Sequence, residues 1–322
     1  MNIKKIMVGA TTGALMFGAV AAIAFADTTS VNFETPTYAV GTINGQDGWT
    51  KTGTFDAAVV ANTYGIASFG VQTLRLSDAV TSGSFGDQTF AKPLVNAVGE
   101  ADSTNGSFSA GALQRHFEMQ FDVASAIPTL QTGMHMSVSP DRGDGSRMSY
   151  LRLEDQADGI HIFFDDVTDA EPLGTVATFN ESDIATISRT PHTLKLTLDT
   201  LDGPANDVVK VYVDGVLKKT GASWEDYYRF DPESVAEQSP RIVKTVLFRE
   251  SGDAHIANAG NGFLVDNFSS FSGPIPPVLV TPPSDKNQCK DTGWKSFNNP
   301  AFKNQGECVS YVQSNDHAGK RN

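Results

Sequence analysis

The chain has 322 residues, 37 acidic against 24 basic side chains, a formal net charge of −13 and 40% hydrophobic content. That balance excludes nucleic acid, whose phosphates need a basic surface, and disfavours anionic membrane surfaces. The length suits one large domain with a small appendage.

Met1-Asn2-Ile3-Lys4-Lys5 is a basic start, followed by an apolar stretch and the small-x-small site Ala24-Phe25-Ala26. Together they read as a secretory signal peptide over residues 1–26, cleaved after Ala26. A retained anchor is the rival reading, but the stretch is rich in Gly, Ala and Thr and polar chain follows at once. Without the leader's two lysines, 22 basic residues face 37 acidic ones, a net of −15. No later run is long and apolar enough for a bilayer. The expected product is secreted, extracellular or held at the cell surface.

Residues 27–272 read as one β domain. Val31–Glu34 is a short strand, followed by a turn-rich loop ending at Trp49. Further strands are expected within Ala67–Ser77, at Thr89–Leu94 before a proline stop, and at His116–Ala124, where Phe117, Met119 and Phe121 share a face. Gly99–Gly111 reads as a loop. A three-strand meander follows over Met134–Ser139, Arg147–Glu154 and Gly159–Asp165, joined by Gly/Asp turns. Alternation puts Met148, Tyr150, Arg152 and Glu154 on one face, and sets Ile160, Ile162 and Phe164 against His161, Phe163 and Asp165. Thr190–Thr200 and Val208–Val213 form a hairpin, with a tight turn at Asp214-Gly215. Ser223–Pro240 is acidic and aromatic, a loop or short helix. Thr245–Glu250 and Gly262–Phe271 are the last strands. Many short strands with frequent turns and almost no helix give an all-β, antiparallel jelly-roll β-sandwich.

Residues 273–286 (GPIPPVLVTPPSDK) are a proline-rich, extended linker. Residues 287–322 form a small C-terminal module. Its Cys289 and Cys308 are the chain's only cysteines, and export predicts a disulfide between them.

Lys210–Leu217 (KVYVDGVL), Gly262–Phe271 (GFLVDNFSSF) and the early Asn32-Phe33-Glu34 resemble segments of the concanavalin A-like lectin/glucanase superfamily, including laminin-G-like jelly rolls. The resemblance spans Val31–Ser272 and implies adjacent first and last strands and one concave sheet. The tail's Cys289…Gly293-Trp294 and Phe302-Lys303-Asn304-Gln305-Gly306…Cys308-Val309 are similar to a motif at the ends of exported bacterial proteins.

Glycan-degrading members of the superfamily place carboxylates at E-x-D-x-x-E on a concave strand, and this chain lacks that pattern. Asp165-Asp166-x-x-Asp169 and Glu225-Asp226 are the nearest clusters, yet Asp165 and Asp166 point to opposite faces. Glu154 and Asp165 could meet across strands beside His161 as an acid–base set. His135, Tyr150, Arg152 and His161 could converge as a sugar site, Arg offering bidentate contacts and Tyr a flat ring. The Trp224, Glu225, Tyr227 and Tyr228 loop offers rings for sugar faces and a carboxylate for hydroxyls. The plainer reading of each is a surface polar network, or aromatic residues capping the core. The resemblance also implies calcium, for which Asp141, Asp144, Asp202, Asn206 and Asp207 are turn-borne oxygen donors.

These readings favour non-catalytic recognition of an extracellular polysaccharide or surface glycan. A glycoside hydrolase or polysaccharide lyase on the same face is the enzymatic alternative. A structural or adhesive surface protein is the third.

Overall fold

The computed structural model describes residues 26–101, 112–168, 171–237, 241–277 and 281–318. The expected leader up to residue 25, Asp169 and most of the Gly99–Gly111 loop lie outside the described residues. Two compact units divide between Pro274 and Ile275.

The strands of the first unit are, in order, β1 (Asp27–Val31), β2 (Gly41–Thr42), β3 (Thr50–Lys51), β4 (Asp56–Ala61), β5 (Gln72–Ser77) and β6 (Gln88–Phe90). Then come β7 (Val98–Gly99), β8 (His116–Ser125), β9 (His135–Asp141), β10 (Leu151–Gln156), β11 (Gly159–Thr168) and β12 (Thr178–Ile187). The last are β13 (His192–Asp199), β14 (Val208–Val213), β15 (Val216–Gly221), β16 (Ile242–Val243), β17 (Thr245–Arg249) and β18 (Phe263–Gly273). Two short helices, α1 (Glu225–Phe230) and α2 (Pro232–Glu237), interrupt them. No helix among the described residues is long and apolar enough to cross a membrane.

A nine-stranded sheet runs β15-β14-β13-β8-β18-β5-β4-β2, with β1 also on β18. A seven-stranded sheet runs β12-β11-β10-β9-β17-β6-β3. Asp27 pairs with Ser272 and Val31 with Phe268, so the first and last strands are neighbours. The pairing is antiparallel throughout both sheets, and the architecture is a jelly-roll β-sandwich. Alternation explains the core. Phe117, Met119 and Phe121 of β8 and Leu194, Leu196 and Leu198 of β13 face inward and are fully buried. They meet Met136, Val138, Leu151, Leu153, Ile160, Ile162 and Phe164 from the other sheet in one cluster. Trp49, at the end of its turn-rich loop, is buried among Phe33, Phe248 and Phe268, at ring distances of 5.5, 6.0 and 5.5 Å. Asp214 and Gly215 both take positive φ, 50° and 75°, as a two-residue hairpin turn requires.

Three expectations need correction. The first strand stops at Val31, because Phe33 adopts a left-handed φ of 56° that swings its ring into the core. Met148 does not share the face of Arg152: a bend at Met148-Ser149 breaks the alternation, and Met148 joins the core with Leu151. The stretch after Thr168 contains a full strand, β12, which pairs with β11 from Thr168↔Thr178 to Ile160↔Ile187.

In the second unit, Cys289 and Cys308 form a disulfide and are buried with Phe297, Phe302 and Val312. Asp285 caps the short helix Lys286–Cys289 through a reciprocal capping box with Gln288. A third helix, α3 (Gln305–Ala318), carries Cys308 and Val312. Iodoacetamide is expected to leave the mass of the native chain unchanged until a reductant is added; labelling without reductant would contradict the bridge.

Candidate functional site

The face of the seven-stranded sheet turned away from the core is built by strict alternation. Its side chains are His135, Ser137 and Ser139 of β9, Arg152 and Glu154 of β10, His161, Phe163 and Asp165 of β11, and Leu247 and Arg249 of β17. Register aligns them in rows. One row runs Asp183–Phe163–Arg152–Ser137–Arg249–Gln88 across five hydrogen-bonded pairings. The next runs His161–Glu154–His135.

The left half of this face is a closed ionic lattice. Arg152 holds Glu181 of β12 with both arms, at 2.8 Å each, and also bonds Glu154. Burial pulls the Arg152 pKa down, but hydrogen bonds to Glu181 and Glu154 outweigh it, so the guanidinium stays charged. Its plane lies 4.0 Å from the centre of the Phe163 ring. His161 sits between Asp158 at 2.9 Å and Asp183 at 2.6 Å, and bonds to those two carboxylates raise its pKa. His135, Tyr150, Arg152 and His161 therefore share one face, but Arg152 and His161 already have acidic partners. Glu154 and Asp165 do not pair. Glu154 opposes His161, while Asp165 lies level with Tyr150, about 13 Å away along the strand. That exceeds the carboxylate separations of retaining and inverting glycosidases. Burial, then repulsion from Glu181, pushes the Asp165 carboxyl up to about 6.

The Trp224 segment caps the end of this face. Tyr150 stacks on the indole at 5.9 Å and 19°, while Phe179 and Tyr227 meet it edge-on at 4.8 and 6.3 Å. Trp224 Nε1 donates to the Asp165 carbonyl at 3.2 Å. Tyr228 is buried and donates to the Arg147 carbonyl at 2.8 Å. Glu225 points inward as well, with 2% of its surface exposed, and accepts from the amides of Asn206 and Asp207. Of the four loop residues, only Trp224 and Tyr227 keep partial exposure. We expect Trp224→Ala to lower the unfolding free energy by about 1–3 kcal/mol, because it empties a half-buried aromatic cluster. An unchanged thermal midpoint would contradict this.

The acidic turns are also internally satisfied. Asp141 is buried, and its Oδ1 accepts from the amides of Gly143, Asp144 and Gly145 at 2.6, 3.1 and 3.1 Å. Burial still pushes its pKa up to about 7. Asp144 pairs with Arg142 and Asp202 with Arg115, so neither points at a shared oxygen-lined centre. Glu100, Asp207 and Glu225 do bring ligand atoms within 4.8 Å of one another. Two guanidiniums already occupy that place: Arg241 lies 2.7 Å from Glu100, and Arg229 bonds both Glu100 and Glu225. Burial, then repulsion from Asp207, raises Glu225 to about 8, and the two arginines offset the charge of the cluster.

No protein-family model matches the chain, and no curated protein matches it. Among solved structures it is similar to a carbohydrate esterase from Shiga toxin-encoding bacteriophage phi24B, at 14% identity, with 73% of this chain and 100% of that chain covered and a TM-score of 0.38. It is also similar to the alginate lyase A1-II′, at 12% identity, 70% and 95% coverage and a TM-score of 0.37. A sialidase matches at 11% identity and a TM-score of 0.35 over 75% of this chain, which spans only 17% of the sialidase's length. At these scores the likenesses carry no argument about activity.

The right half of the face holds what sequence reasoning missed. Phe85 is 74% exposed, and its ring lies 4.2 Å from the guanidinium carbon of Arg249. Its loop is tied down: Thr81 Oγ1 donates to the Gly252 carbonyl at 2.7 Å, Gly86 to Ser84 Oγ at 3.1 Å, and Thr54 to Asp87 Oδ1 at 2.9 Å. The signals were an aromatic inside a Ser/Gly turn and an arginine in outward phase with Leu247. A cavity of about 210 Å³ opens on the same face between Thr50, Phe90, Arg142, Lys244 and Thr245. A larger one, about 780 Å³, lies at the turns, lined by Tyr64, Ser125, Asp158, Ser188, Arg189 and Pro191. Its charged members are already engaged, Arg189 with Asp155 and Asp158 with His161.

Proposed function

We propose that the protein is an exported, non-catalytic module of concanavalin A-like type. It binds an extracellular or cell-surface polysaccharide on the outer face of the seven-stranded sheet. The observation that carries this reading is Phe85, a ring three-quarters exposed yet fixed on a hydrogen-bonded loop beside a polar sheet row. A flat ring held out in water offers a face that a sugar's C–H side would cover. The neighbouring half-buried Gln88 supplies a hydrogen-bonding amide to ring hydroxyls. Binding is favoured over hydrolysis because Glu154 is engaged by Arg152 and stands far from Asp165.

The test is electrophoresis of the full-length chain in native gels cast with a panel of polysaccharides, then stained for polymer. Retardation by at least one polymer, with the polymer intact, is expected. Phe85→Ala should lose most of that retardation while staying folded, its thermal midpoint lowered only slightly by the loss of the Arg249 contact. A cleared zone would make the protein an enzyme. Stronger retention by Phe85→Ala would show that the ring shields the site. No retardation by any polymer would remove the reading and leave a structural or adhesive role.

A further inference from the structure

We propose that the polysaccharide is acidic, its carboxylate or sulfate bound by Arg249; this rests on the glycan-binding reading above. The chain carries 37 acidic residues against 24 basic ones, so an arginine has abundant partners. Arg75, Arg115, Arg152, Arg189, Arg229 and Arg241 each hold a carboxylate. Arg249 holds none among the described residues, although only 5% of its surface is exposed. Its Nε is buried without an acceptor among the described residues, and its guanidinium lies over the Phe85 ring. Among the described residues Arg147 is the other guanidinium without an ion pair, and it has Asp141 as a nearby opposite charge.

A guanidinium withdrawn from water without a counter-charge is costly, and a ring face offsets only part of that. The missing partner is a planar or tetrahedral anion, which the fork of an arginine matches with two parallel hydrogen bonds. Position fits this role. Arg249 lies opposite Gln88 and Ser137 in the sheet row, with its guanidinium against the face of the exposed Phe85 ring, 4.2 Å from the ring centre. A sugar lying along the border of the ring brings its acid group past the ring to the guanidinium beneath. Lys244, likewise without an ion pair among the described residues, lines the neighbouring cavity on the same face. A chain of net charge −13 repels polyanions in general, so retention of one would report a specific site.

The experiment uses the full-length chain in native gels containing a polyuronate, a sulfated galactan or a neutral glucan, with Arg249→Met and Arg249→Lys beside wild type. An acidic polymer should retard wild type, and the neutral glucan should not. Arg249→Met should weaken that binding by about 10- to 100-fold, the size of a charge-assisted pair, with Arg249→Lys between. Because the methionine removes an uncompensated buried charge, its thermal midpoint should equal or exceed that of wild type. Retention by the polyuronate alone assigns a carboxylate, and by the galactan alone a sulfate. Equal retention of wild type and Arg249→Met by the neutral glucan would overturn the acidic ligand and leave glycan binding standing. Retention by an acidic polymer unaffected in Arg249→Met would overturn the assignment to Arg249. No retention by any of the three would overturn this proposal, and the wider polymer panel then decides the parent reading.

Discussion

Arg229→Ala is expected to destabilise the sandwich by about 3–5 kcal/mol, since removing one partner of a buried ion network strands the other. Glu100 is fully buried, and Arg229 bonds it while also reaching Glu225 Oε2 at 3.3 Å and the Gly203 carbonyl at 3.2 Å. The alanine leaves Glu100 with Arg241 alone and leaves Glu225 and Asp207 nearer to full mutual repulsion. The α1 helix and the Asn206-Asp207 turn are tied through Glu225, so they should loosen together. Urea denaturation measures the effect as a lower midpoint with an unchanged slope. Arg229→Lys, which keeps the charge but not the fork, should lose less. A loss below about 1 kcal/mol for the alanine would mean that the cluster's charge is compensated elsewhere.

Acidifying from pH 8 to pH 5 is expected to raise the thermal midpoint by about 5–10 °C, corresponding to a few kcal/mol for a domain of this size. Burial raises Asp141 to about 7, Asp207 to about 6, Glu225 to about 8 and Asp266 to about 7, from ordinary values of 3.8 and 4.5. Fully buried Glu250 is raised as well, by desolvation and by repulsion from Asp78 and Asp87. Between those ordinary values and the raised ones, the folded chain holds protons that the unfolded chain has released. Stability therefore falls as pH rises through this window. His161 acts in the same direction, because bonds to Asp158 and Asp183 raise its pKa in the folded state. Below about pH 4 the trend reverses. The lowered carboxylates, including Asp202 beside Arg115, then lose their partners' stabilisation. A midpoint that is flat or higher at pH 8 would contradict the account and would point to cations bound by the buried acids.

Strands that carry clean alternation were legible in the sequence. The Val208–Val213 strand coincides with β14, and His116–Ala124 with all but one residue of β8. The edge strand β12 (TFNESDIATI) was not legible, because both of its faces are largely exposed and no hydrophobic period marks it. That omission propagated into the site. Arg152 and His161 were placed on the correct face by alternation, but their partners Glu181 and Asp183 come from the unseen strand. Two groups that looked available are thereby engaged. The Trp224 segment misled for a related reason: it is helical, so residues one turn apart share a face while their immediate neighbours turn away from it. Glu225 and Tyr228 fall inward, and only a helix reading would have sorted them. Arg249 was readable, since Val246 and Phe248 are inward and alternation sends Arg249 out, but its lack of an ion pair among the described residues is a fact of tertiary structure.

Hydrogen–deuterium exchange of the full-length chain, with and without the polysaccharide that retards it, tests the binding face most directly. The account predicts slowed amide exchange at Thr81–Phe90, around His135–Ser139 and along Thr245–Glu250, with Tyr64–Ser68 and Ser188–Pro191 unchanged. Protection confined to those two turn segments would move the site to the large cavity, and protection confined to residues 275–322 would move it to the second unit. Either result would contradict the outer sheet face as the place where ligand binds.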